Sequence, residues 1–317
     1  MIEFEIMGIN KVNVDEICQL ILDMKTSNGE WSEDVDLEKV KQVFLRNFED
    51  TEDSILLAKQ AGKLISLIVI HLDEQDMIEM NPWFLGGHPI VCQDLDEVQL
   101  GSEMIQRVMN YAESIHIMKV NVHFMKDAPP RRRMYEGLSM KLFEEVTHLR
   151  VSLSELEIIT PEPSNEADII PLHEALIESL YDCWYESFQS GQDRSFFARS
   201  QEQNREHFEQ MFARDEYDTR ASIALMSSEQ VVGFALVKQT HGPNNGHIWE
   251  LGVHPDFRRK GYARLMLAVV RDRLLAEEMK TISLNYDISN EPAMRLYRSY
   301  NFEEEWTQIG YTWIVEA

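Results

Sequence analysis

Apolar and polar residues trade periods several times along the chain. Alternation at Ile2–Ile6 predicts a strand, and apolar positions three or four apart predict helices over Val14–Met24 and Leu37–Phe48. Two strand-like runs, Ser54–Lys59 and Lys63–His71, flank Gln60-Ala61-Gly62, a turn containing glycine. A helix carrying Met104, Ile105, Val108, Met109 and Ala112 follows. A strand (Lys119–Phe124), a short helix near Arg131–Gly137 and two closing strands up to Leu153 come after it.

The second half runs through the same order. A strand at Ala167–Ile170 leads into helices around Leu172–Phe188 and Gln201–Arg214. A hairpin, Arg220–Ser227 and Gln230–Gln239, turns at Ser228-Glu229. A strand at Gly246–His254 feeds a helix over Gly261–Met279, and a strand (Thr281–Tyr286), a short helix (Pro292–Tyr300) and closing strands at Glu304–Val315 complete the set. The break falls at Thr160-Pro161-Glu162-Pro163-Ser164-Asn165, which permits no regular element. Pro130 and Pro292, and likewise Tyr135 and Tyr297, are offset by 162, and Gly101 and Gly261 by 160. Matched elements at near-constant offset read as a duplication. The expected domains are residues 1–160 and 161–317, two copies of one α/β unit.

Charge narrows the partners. The 317 residues hold 30 Lys+Arg and 55 Asp+Glu, a net charge of −25, which argues against general nucleic-acid or anionic-membrane binding and suits cationic partners. Cys18, Cys92 and Cys183 lie far apart without a CxxC pair, which reads as thiols in a reducing compartment. The ten histidines, His88 and His123 among them, show no metal-ligand spacing, so no metal is expected. The opening M-I-E-F-E-I is acidic where a signal peptide would be basic, and no run approaches a membrane span. A cytoplasmic monomer or homodimer is expected.

Against that acidity, Leu251–Arg264 stands out: L-G-V-H-P-D-F-R-R-K-G-Y-A-R. Arg258, Arg259 and Lys260 crowd the start of a helix beginning near Gly261. Basic side chains belong at helix C-termini, so their presence at an N-terminus points to an anionic ligand, which Gly261 and Ala263 would let approach closely. The bland alternative is a solvated basic turn.

Here the chain resembles a known family. Arg258-Arg259-Lys260-Gly261-Tyr262-Ala263 matches the R/Q-x-x-G-x-G/A signature of the GNAT superfamily of N-acetyltransferases, and V-H-P-D-F before it and Asn290–Phe302 after it look similar to that family as well. The resemblance covers about 150 residues of the second half. It departs at Asn301, where the family has glycine; Asn tolerates left-handed backbone. The resemblance implies an α/β fold of tandem acyl-CoA N-acyltransferase domains, each a mixed, mostly antiparallel sheet flanked by helices. It also implies acetyl-CoA as acetyl donor, transfer directly to a primary amine, and no metal or covalent enzyme intermediate. By the same resemblance, Arg258, Arg259, Lys260, Gly261, Tyr262, Ala263 and Arg264 would cradle the pyrophosphate. The backbone of Leu251, Gly252 and Val253 would pair with the pantetheine arm, and Asn290 would bind the pantetheine region.

Tyr297 stands where the family places its general acid for the departing thiolate, with a packing aromatic as the alternative. For the base, Glu250 is the carboxylate inside the apolar strand W-E-L-G-V, and His247 is the second candidate; strict alternation puts these on opposite faces unless a bulge intervenes. The first half has Q-D-L-D-E-V-Q-L-G-S-E instead. Asp94, Asp96 and Glu97 there would repel a pyrophosphate, Glu103 replaces the small residue and Ala128 replaces Asn290. That copy reads as degenerate, with Tyr135 kept for packing and Arg131–Arg133 a solvated helix start. Trp184, Tyr185, Phe188, Phe196 and Phe197 either border the acceptor pocket or form a helix core. The acceptor is expected to be a small cationic amine. A peptide amine, or plain acyl-CoA binding without catalysis, are the alternatives.

Overall fold

A computed structural model describes residues 1–27, 35–48, 51–72, 77–81, 89–125, 129–158, 167–191, 193–197, 199–213, 217–240, 242 and 244–315. The stretch expected to link the halves, Thr160–Asn165, lies outside the described residues, as do His88 and Ala128. By packing, the chain divides into unit 1 (1–143 and 308–317) and unit 2 (144–307).

Unit 1 contains β1 (Ile2–Gly8), α1 (Val14–Ser27), α2 (Leu37–Phe48), β2 (Ser54–Gln60), β3 (Lys63–Leu72), β4 (Ile78–Met80), β5 (Ile90–Val91), α3 (Glu97–Ser114), β6 (Lys119–Met125) and α4 (Pro129–Gly137). The next strand, β7 (Lys141–Ser152), is one long strand where two were expected, and from residue 144 onward it belongs to unit 2. Unit 2 continues with β8 (Asp168–Pro171), α5 (Ile177–Gln189), α6 (Arg194–Phe197), α7 (Gln201–Ala213), β9 (Ile223–Ser227), β10 (Gln230–Lys238), β11 (Asn245–Val253), α8 (Tyr262–Ala276), β12 (Thr281–Asp287) and α9 (Glu291–Arg298). The last strand, β13 (Glu303–Ile314), starts in unit 2 and ends in unit 1.

The two sheets have one topology. In unit 1 the strands run β1-β2-β3-β4-β6-β13, and in unit 2 β8-β9-β10-β11-β12-β7. Each neighbouring pair is antiparallel except the fourth and fifth strands, β4–β6 and β11–β12, which are parallel. Identical order and identical strand sense are the structural form of the duplication. The sixth place in each sheet is filled from across the linker: β13 residues 308–314 pair with β6, and β7 residues 146–152 pair with β12. Local periodicity foretold the strands; it could not foretell these partners.

The hairpin turns obey short-range sterics. Ala61-Gly62 and Ser228-Glu229 each have both residues at positive φ (50° and 80°; 48° and 68°), the two-residue geometry whose twist matches the strands. Ser139 and Asn301, again 162 apart, are both left-handed (59° and 58°), so the departure at Asn301 leaves the turn intact. Burial follows the expected helix faces. Leu100, Met104, Ile105, Val108, Met109 and Ala112 of α3 are buried, as are Leu265, Met266, Val270 and Leu274 of α8.

Candidate active site

β11 and β12 pair only from Asn245–Ile248 to Thr281–Leu284. Opposite β10, Glu250 faces Leu236 and Ile248 faces Val237, so Trp249 is an extra residue, a β-bulge. Past the bulge the strands part, and a cavity of about 1090 Å³ opens between them. Its walls include Leu251, Gly252 and Val253 on one side and Asn285, Tyr286 and Asp287 on the other. Gly252 is required here: a Cβ at that position would come within 2.5 Å of the Phe234 ring.

The basic loop forms part of the cavity wall. Arg259 and Gly261 take left-handed backbone (φ 62° and 84°), which turns the chain so that α8 begins at Tyr262 without a side-chain cap. First-turn amides of a helix have no intrahelical carbonyl to bond, so this end suits an anion. Arg259, Gly261, Ala263 and Arg264 line the cavity, while Lys260 is exposed with its ammonium 5.1 Å from the Phe257 ring centroid. Tyr262 also lines it but is 3% exposed, its side chain rooted in the core, so it offers mainly backbone. Arg258 is a strut. Its guanidinium donates to the Val253 carbonyl (3.2 Å), the Ser187 carbonyl (2.8 Å) and the Ser190 hydroxyl (2.8 Å), tying the loop to the end of α5. Asn290 lines the cavity too, but its Oδ1 caps α9 by accepting from the Ala293 amide at 3.2 Å.

Four carboxylates also line the cavity, those of Glu144, Asp193, Glu250 and Asp287. Asp287 is buried and committed: Oδ1 accepts from the Ser289 amide and hydroxyl, and Oδ2 from the Arg194 amide. Asp193 Oδ1 accepts from the Ser195 hydroxyl and the Phe196 amide. Burial of its carboxyl, with Asp193 adding to it, pushes Glu250 up to about 8, although the fields of Arg199 and Lys238 act the other way. Tyr297 is buried at the cavity wall, held edge-on by Tyr286 and Phe302 with ring centroids 6.2 and 5.7 Å away. Burial and then the Glu250 charge raise its phenol well above the ordinary range, which keeps it protonated. The two candidate catalytic groups therefore share one cavity.

The bulge does turn His247 to the face of Glu250, because residues paired across β10 (Lys238 with His247, Leu236 with Glu250) share a face. Yet His247 is 1% exposed and absent from the cavity wall, with Nδ1 2.9 Å from the Ser283 hydroxyl and its ring stacked on His148. The geometry favours Glu250 over His247. Of the aromatic stretch, Trp184 and Phe196 are core, Phe188 lines the cavity and Phe197 is exposed. Sequence reading missed Glu144, Asp193 and Asp287, which come from three separated segments. A carboxylate ending the apolar strand Thr281–Asp287 was the one available signal.

The matching helix start of unit 1 is capped by its own chain. Asp96 caps α3, its Oδ1 accepting from the Val98 and Gln99 amides at 3.0 Å each. Arg131 is not the solvated residue expected. Its side chain is 12% exposed and its Nε lies 2.9 Å from Glu97. Glu97 there repels a phosphate and engages the nearest arginine at once. Tyr135 is wholly buried between Phe124 and Tyr311, its hydroxyl without a partner.

The uncapped helix start, the glycines and the unpaired edge of β11 fit a slender anionic thioester such as acetyl-CoA. Among the described residues, no group of three or more His, Cys, Asp or Glu could hold a metal ion, and no helix is long and apolar enough to cross a membrane.

Comparison with known proteins agrees. Residues 174–302 match the Acetyltransferase (GNAT) family. The chain is similar to a GCN5-related N-acetyltransferase from Sphaerobacter thermophilus (TM-score 0.65, 16% identity, 99% of this chain and 96% of that one). It is also similar to a tandem GNAT protein from the clavulanic acid biosynthesis pathway (TM-score 0.55, 12% identity, 100% and 99%). Residues 174–302, most of unit 2, thus carry the match to the Acetyltransferase (GNAT) family, and the chain as a whole shares the fold of a tandem GNAT protein. Among curated proteins it resembles an acetyltransferase of Yersinia enterocolitica, 28% identical over 89 residues. That match takes in 27% of this chain and 63% of that protein. It resembles also the ribosomal protein bS18-alanine N-acetyltransferase of Salmonella typhimurium, 25% identical over 103 residues, or 32% and 68%.

Proposed function

We propose that unit 2 is an acetyl-CoA-dependent N-acetyltransferase whose acceptor is the primary amine of a small cationic molecule. The observation that carries this reading is one cavity whose wall holds Glu250 and Tyr297 together with Arg259, Arg264 and the carboxylates of Glu144, Asp193 and Asp287. Acetyl-CoA would supply the activated acetyl group. The amides of the loop at Arg259–Ala263 and of the first turn of α8 would hold its phosphates, with Arg264 nearby, while Arg258 keeps the loop in place. The free edge of Leu251–Val253 would hydrogen-bond the pantetheine arm, and Asn290 would set the entrance of α9 beside it.

Beside these carboxylates an ammonium is drawn in and must lose a proton before it can attack. A carboxyl near 8 is far better matched to that proton than an ordinary glutamate. Glu250 takes the proton, and the Tyr297 hydroxyl, kept protonated by burial, gives one to the departing thiolate. Measuring free thiol released from acetyl-CoA with a panel of amines tests this. Small cationic amines should support turnover, with KM rising as salt screens the carboxylates. Release of no thiol with any amine would leave only acyl-CoA binding.

The Salmonella relative, which by its name acetylates the alanine of a ribosomal protein, favours a second reading, acetylation of a protein N-terminus. A peptide with N-terminal alanine in the same panel separates the two.

A further inference from the structure

The last residue of β10 is at odds with its surroundings. Lys238 ends the apolar run Val231–Val237 and is 3% exposed, on the same sheet face as buried Phe234 and Leu236. An ammonium this deep needs partners that offset its desolvation. Two features of its position stand out. Its Cα partner across the sheet is His247, one step from the bulge, and its Nζ lies 3.9 Å from the ring centroid of Trp249, the bulged residue. On that same face the next residue along β11, Glu250, pairs with Leu236, two residues from Lys238.

We propose that Lys238 is a positioning residue for the transfer reaction: its ammonium holds the Trp249 bulge and keeps the neighbouring Glu250 available as a carboxylate. The inference rests on the reading of Glu250 as the base. The charged and titratable groups facing Glu250 are Asp193 ahead of α6, Arg199 after α6, Lys238 on β10 and Tyr297 on α9. Asp193 opposes ionisation. Arg199 favours it but has a second engagement, its Nε donating to Asn204 Oδ1 at 2.9 Å and Glu144 and Asp193 sharing its field. Lys238 acts from inside the sheet in the same sense as Arg199, the larger of the two influences. Burial alone would leave Glu250 protonated at neutral pH. The cation recovers part of the basic form, while the bulge it braces turns the carboxyl to the cleft.

The experiment reads Glu250 directly. In protein labelled with 13C at glutamate carboxyls, Glu250→Gln identifies the resonance, which should titrate near 8 in the native chain. In Lys238→Met it should titrate higher by about one pH unit, and in Lys238→Arg it should return, since an arginine remains charged. Lys238→Gln serves where the methionine variant does not fold. In kinetics the acid limb of kcat/KM for the amine should move by the same amount. At pH 7 this gives a loss of about tenfold that vanishes at alkaline pH, with KM for acetyl-CoA unchanged. An unmoved resonance overturns the proposal, as does a loss equal at every pH that arginine does not rescue. The titration needs no turnover, so a chain that releases no thiol with any amine sinks the transferase reading without touching this result.

Discussion

The same structural slot, the start of the helix after the fourth strand, is built in opposite ways in the two units. In unit 1 a carboxylate of the chain itself, Asp96, occupies the amides of α3, and Arg131 is drawn onto Glu97. In unit 2 glycine stands at the cap of α8 and supplies no side-chain cap, and Arg259 and Arg264 line the cavity. One helix start is capped by its own chain, and the other is the start proposed to take the phosphates of acetyl-CoA. If unit 2 binds acetyl-CoA as proposed, the same change that closes the slot in unit 1 also strengthens its helix, since an Asp cap is worth about 1 kcal/mol.

The tyrosines 162 residues apart test this contrast most sharply. Tyr297→Phe should lower turnover by about 10²–10⁴-fold with little change in acetyl-CoA affinity. Tyr135→Phe removes a buried hydroxyl that has no partner, so its unfolding midpoint should hold or rise. If Tyr297→Phe turns over normally with a good amine, the two tyrosines are equivalent and both are packing.

Next in size is a graft of one cap onto the other. Gly261→Asp places a carboxylate at the open helix start at a backbone φ of 84°, where a side chain is strained. Calorimetry should show acetyl-CoA binding weakened by about 100-fold or more. Retained binding would mean that the anion sits elsewhere. The smallest effect belongs to the reverse change. Asp96→Ala should cost unit 1 about 1 kcal/mol, seen as a lower melting temperature, and leave binding at one acetyl-CoA per chain. A stoichiometry approaching two would show that the carboxylate cap was all that closed unit 1.

Much of this was legible from sequence because it depends on neighbours a few residues apart. Most strand and helix periods, the turn at Ala61-Gly62 and the turn of the chain ahead of α8 are local patterns that stand in the structure, whereas each set of closing strands is one long strand, β7 and β13. The carboxylate lining of the cavity was not legible, since Glu144, Asp193 and Asp287 converge only when β7 lies on β12. Arg258 shows a finer limit. Its charge suggested a phosphate contact, but although it lines the cavity its guanidinium is held by four groups of its own chain, which depends on where α5 ends. For the two candidate bases, the bulge at Trp249 brings Glu250 and His247 to one face, and only burial, which no alternation rule reports, keeps His247 out of the cavity wall.

The crossed closing strands bear on the order in which the chain can be completed during synthesis. Unit 2 draws on nothing beyond residue 307, whereas the sheet of unit 1 lacks its sixth strand until residues 308–314 have been made and have paired with β6. Until then β6 carries an open edge of the kind that invites pairing with other chains. The half that leaves the ribosome first is finished last, and its exposed edge must wait, or be chaperoned, for the time it takes to translate unit 2.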